Sequence, residues 1–75
     1  MTFRKNALEA LKHNAMKDKS EALASLKIML DHPAGIGDHS TGDLHENLNE
    51  ALSKLADADD RLDMLQIYFG ETGNA

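Results

Sequence analysis

The apolar residues of the C-terminal half fall at Leu44, Leu48, Ala51, Leu55, Ala58, Leu62, Leu65 and Phe69. Steps of four and three alternate without a break, the heptad pattern of a helix that packs along a narrow seam. Leu48, Leu55, Leu62 and Phe69 hold one seam position, and Leu44, Ala51, Ala58 and Leu65 the other. The pattern predicts a helix over residues 42–69, near 40 Å long at about 1.5 Å per residue. Ser40-Thr41-Gly42-Asp43 fits a capping box at its start, with Ser40 as the cap. Gly70 stands where a left-handed helix stop belongs. Glu50 with Lys54, and Asp57 with Arg61, have the spacing of supporting ion pairs along an exposed face. Ala51 and Ala58 would let a partner helix come close. Leu52, Met64, Ile67 and Tyr68 lie off the seam and widen the apolar surface, as on a helix that touches more than one neighbour.

The N-terminal half is also helical in pattern but less regular. Leu8, Leu11 and Ala15 share a face, and Ala22, Leu23, Leu26, Met29 and Leu30 continue it with some rotation. Between them Lys17-Asp18-Lys19-Ser20 has no apolar residue, and Asp18 with Glu21 could form a second capping box. With no Gly or Pro in the stretch, the expectation is one helix over residues 3–31, with a break near residue 18 as the alternative. Residues 32–41 form the connector. Pro33 ends the first helix, since the residue before proline is pushed out of helical angles, while Gly35 and Gly37 permit backbone angles closed to other residues. The loop exceeds most helix–helix connections, which run to about eight residues, and Ile36 in its middle reads as an anchor tucked against the helices. Residues 70–75 read as a frayed tail, and residues 1–75 as a single helical domain.

Composition limits what such a chain can be. At 75 residues it has no Cys, no Trp, one Pro and three aromatics. No disulfide framework, thiolate zinc site or cysteine nucleophile can be built. No apolar run is long enough to cross a membrane. No apolar stretch follows Arg4-Lys5, so no secretory signal is expected and the expected location is cytoplasmic. A core in a chain of this size rarely supplies more than about 3–5 kcal/mol, so self-association is the expected source of further stability. The formal charge of −5 is unevenly spread. Residues 1–30 carry +3 and residues 31–75 carry −8. A basic helix beside an acidic one suits pairing within a hairpin or between subunits.

The connector sequence His32-Pro33-Ala34-Gly35-Ile36-Gly37-Asp38-His39-Ser40, followed by an acidic helix ending Leu62-Asp63-Met64-Leu65-Gln66-Ile67-Tyr68-Phe69, resembles small uncharacterised helical proteins of tailed marine phages, including cyanobacterial phages. The resemblance spans roughly residues 22–69. It implies a phage origin and residence in the host cytoplasm. It implies no activity and transfers no catalytic residue.

Four constellations could carry chemistry. His32, His39 and His45, with Asp31, Asp38 and Asp43 nearby, are the candidate metal ligands, since two imidazoles and a carboxylate can hold Zn, Fe or Ni. Their spacing matches no metal signature, and His, Asp and Ser are ordinary cap and turn residues. Gly35-Ile36-Gly37 precedes a helix N-terminus, where a phosphate could sit. However, no strand precedes it, no lysine follows, and Asp38 and Asp43 would repel an anion. The acidic run Asp57–Asp63 lacks the central glycine of a calcium loop and continues the heptad, so it reads as a solvated helix face. Lys5, Lys12 and Lys19 recur every seven residues, a possible nucleic-acid stripe, but the acidic second helix opposes phosphate, and pairing with that helix or plain solvation is the simpler reading.

The sequence therefore predicts an all-α helical hairpin of two long helices that self-associates, as a homodimer or tetramer, into a four-helix bundle. Its interface residues are Leu48, Ala51, Leu55, Ala58, Leu62, Leu65 and Phe69, paired with Leu23, Leu26 and Leu30. The expected function is assembly or adaptor contact between proteins, with no catalysis and no cofactor. The alternative is metal or small-ligand binding at the His32–His45 region.

Overall fold

A computed structural model of the chain describes residues 2–32 and 41–70. It is an all-α hairpin. Helix α1 spans Thr2–Asp31 and helix α2 spans Thr41–Phe69. They pack side by side as a rod 52 × 18 × 16 Å in extent.

Helix α1 runs unbroken through Asp18, and the two capping-box residues there are helix interior. Its end is held by the His32 N–H donating to the Ile28 carbonyl at 2.8 Å, the last helical bond before Pro33. The cap at Ser40, the anchor at Ile36 and the glycines of the connector lie outside the described residues. At the far end Gly70 stops α2, but not with the expected left-handed backbone. A β-carbon there would overlap the Gln66 carbonyl oxygen, so glycine is required by close approach to the preceding turn.

Among the described residues the buried apolar positions are all alanine: Ala15 and Ala22 on α1, Ala51 and Ala58 on α2. Each pair is seven residues apart, so each helix presents a methyl group to its neighbour once every two turns. Side chains this small permit axes to approach toward the short end of the usual ~8–10 Å. The leucines of the predicted seam flank this contact. Leu44, Leu48, Leu55, Leu62 and Leu65 are half-buried, and Phe69 is exposed with its ring beneath Arg4, 5.7 Å from guanidinium carbon to centroid. On α1, Leu8, Leu23, Leu26 and Met29 are half-buried, whereas Leu11 and Leu30 remain exposed.

Candidate functional site

Lys19–Asp59 and Arg61–Asp18 ion pairs cross between the helices and set their register. Lys19 Nζ lies 2.9 Å from Asp59 Oδ1, and Arg61 Nη2 donates to Asp18 Oδ2 at 2.6 Å. Arg61 also donates from Nε to Asp57 Oδ2 at 3.0 Å, one turn back on its own helix. The Asp18 hydrogen bond, with the Asp57 charge behind it, raises the Arg61 pKa above its ordinary value. A raised basic pKa stabilises the fold throughout the range below the ordinary guanidinium value and is lost only in strong alkali. Among the described residues Glu50 and Lys54, spaced for the same intrahelical support as Asp57 and Arg61, form no ion pair.

The sequence predicts pairing of the lysine stripe with the acidic helix, as Lys19 makes with Asp59, but neither the particular partners nor the reverse pair Arg61–Asp18. Their signal was the charged interruption Lys17-Asp18-Lys19 near the middle of α1, opposite the charged run 57–63 of α2. Asp18 and Lys19 on α1 each meet an opposite charge on α2, so neither part-covered charge lacks a partner.

The register places the leucines. Both helices rise equally per residue and run in opposite directions, so a step toward the connector on α1 is matched by a step back on α2. Counting from Lys19–Asp59, Leu23 comes level with Leu55, Leu26 with Leu52 and Leu30 with Leu48. At about 100° per residue the six share one side of the hairpin. The other side is a groove of about 830 Å³ with Ala22 and Ala51 among its lining, edged by Glu21, Ser25, Asn47, Glu50, Lys54 and Arg61, and none of the six leucines lines it. The connector half of the molecule is thus two-sided, with the leucines on one side and, on the other, a groove where Ile28 and Met29 stand among charged side chains.

Ser25 and Ser53 line the groove, and among the described residues no histidine lines it with them. His32 and His45, two of the three candidate metal ligands, are exposed, and His39 lies outside the described residues. Among the described residues no group of three metal-binding side chains converges. The melting temperature is expected to be indifferent to a chelator and to added Zn²⁺ or Ni²⁺. A rise with metal that is lost on changing His32 and His45 to alanine would instead assign the site. Lys5, Lys12 and Lys19 follow the edge of the leucine side, and Lys19 is engaged by Asp59.

Of the predicted interface residues, Ala51 and Ala58 are covered by α1, while Leu48, Leu55, Leu62 and Leu65 are each only half-covered within the hairpin. Among the described residues no helix is long and apolar enough to cross a membrane. No family model, curated protein or solved structure matches the chain. The resemblance to phage proteins gains no support from these comparisons.

Proposed function

We propose that this protein is a small self-associating helical protein that works through protein–protein contact rather than catalysis. The observation that carries the reading is the state of its apolar surface. Among the described residues the buried core is alanine alone, while Leu30 is 65% and Leu52 55% exposed beside four half-buried leucines. A contiguous apolar patch of this kind on a small chain marks a contact surface. Fully covering a leucine stabilises by about 1.5–3 kcal/mol, and much of that is unrealised in the isolated hairpin.

Native mass spectrometry of protein purified without metal tests this directly. The expected result is a dimer with no extra mass, and a monomer at high micromolar concentration overturns the proposal. Leu52 contributes little to the hairpin, so Leu52→Lys should separate association from folding. Each dimer loses two leucine contacts, so the dissociation constant should rise about a hundredfold. Far-ultraviolet circular dichroism at protein concentrations that favour association should still show both helices.

A further inference from the structure

We infer that two copies stack leucine side on leucine side with their connectors at the same end, each α1 lying over the partner's α2. This rests on the self-association proposed above and adds the occupant of the leucine side and its orientation.

Two observations choose this orientation. The first is where the leucines lie. The three level pairs Leu23/Leu55, Leu26/Leu52 and Leu30/Leu48 occupy the connector half, and beyond the Lys19–Asp59 bridge the same side continues through Met16 and Leu62 to Lys12 and Gln66. Two such faces related by a two-fold axis parallel to the helices bring leucines onto leucines. A two-fold axis perpendicular to the helices puts connectors at opposite ends and, with the copies fully overlapped, lays the leucine half of each copy on the lysine-bearing half of the other. That would cover charge without a partner and leave leucine open. Sliding leucine onto leucine would instead give up about half of the contact length.

The second observation is charge. Among the described residues α1 carries +2 and α2 carries −5. With connectors together, each basic helix covers an acidic one, and Lys12 and Lys19 at the edge of α1 approach Asp59 and Asp63 at the edge of the second copy's α2. With connectors apart, α1 covers α1 and α2 covers α2, so helices of like net charge are stacked. Complementary edges fix orientation in this way even where they add little affinity. The outline of the side, 52 × 18 Å or roughly 900 Å² per copy, matches the about 800 Å² per partner of a standard stable interface when the copies meet along their whole length. Both copies use the same face, so the contact is isologous and closes at two.

The chain has no cysteine, so single labels can be introduced cleanly. Spin labels on Asp31→Cys, at the connector end, and separately on Thr2→Cys, at the open end, report the separation between copies. Ser20→Cys, near the middle of α1, serves as the control that is short in either orientation. Connectors together predicts short distances at both ends, with helix backbones about 15 Å apart across a four-helix bundle. Connectors apart predicts about 45 Å at both ends, the length of α1 at 1.5 Å per residue. A dimer with the long distances overturns the orientation and leaves self-association standing. A monomer by native mass spectrometry overturns both. In the Leu52→Lys background the short distances should disappear, and their persistence would place the contact elsewhere and overturn the inference.

Discussion

Ala58→Leu should unfold the hairpin or come close to it. Ala58 is fully buried against α1, and Ala15 likewise against α2. Two helices that meet through methyl groups have no space for an isobutyl chain, so the larger residue must push the axes apart. Overpacking of this kind costs about 1–3 kcal/mol, a large part of the few kcal/mol that a core of this size supplies. Separation would also stretch the Asp18–Arg61 and Lys19–Asp59 pairs, since both cross the same contact. Urea titration followed by helical circular dichroism gives the number. Ala56→Leu is the control. It lies two residues away on the exposed side of the same helix, and a surface change there should stay within about 0.5 kcal/mol. If Ala58→Leu proves as silent as Ala56→Leu, the helices do not meet through alanine.

Leu55→Asp should have the second large effect, and a different signature. Leu55 is half-buried, level with Leu23 in the leucine pair nearest the Lys19–Asp59 bridge. Its outer part faces whatever covers that side. A carboxylate there loses the leucine's burial and must remain hydrated, which holds the site open to water. The cost falls on hairpin packing and on association together, so helicity and subunit number should both drop, with the loss on the order of 2–5 kcal/mol typical of removing a core leucine. Leu52→Lys is expected to reduce only association. The comparison of the two variants by native mass spectrometry and circular dichroism therefore separates what holds the hairpin from what holds the pair. An unchanged, fully folded assembly with Leu55→Asp would sink the leucine side as a contact surface.

How much of this was legible in the sequence differs between the helices. The α2 seam could be read directly, because apolar residues recur at alternating steps of four and three without interruption and every other residue near it is polar or off-phase. The pattern even separated the alanines, where helices come close, from the leucines that flank them. Helix α1 was harder. Asp18 and Lys19 occupy its inner face, so apolar periodicity fails where α2 comes nearest, and a break with its own cap was a reasonable alternative. What heals the break is a pair of charges on the other helix, and no reading of one helix alone could supply them. Glu50 and Lys54 show the opposite error: spacing permits an ion pair, and the side chains turn instead to the groove edge. The side on which leucine collects was also out of reach until the register was known. Periodicity says which residues face inward, but a register of two helices decides which of the flanking residues end up together. The candidate ligands His32 and His45 are nearby in sequence and exposed in the structure, as turn and cap residues ordinarily are.

The placement of the one tyrosine has a consequence for how this protein is observed. Tyr68 is 70% exposed at the open end of the hairpin, and there is no tryptophan. Intrinsic fluorescence therefore reports the last turn of α2, which frays before the alanine contact gives way. Its emission should change at lower denaturant than the helical signal does. The resulting disagreement between two midpoints would resemble a folding intermediate, though it reflects only where the chromophore sits.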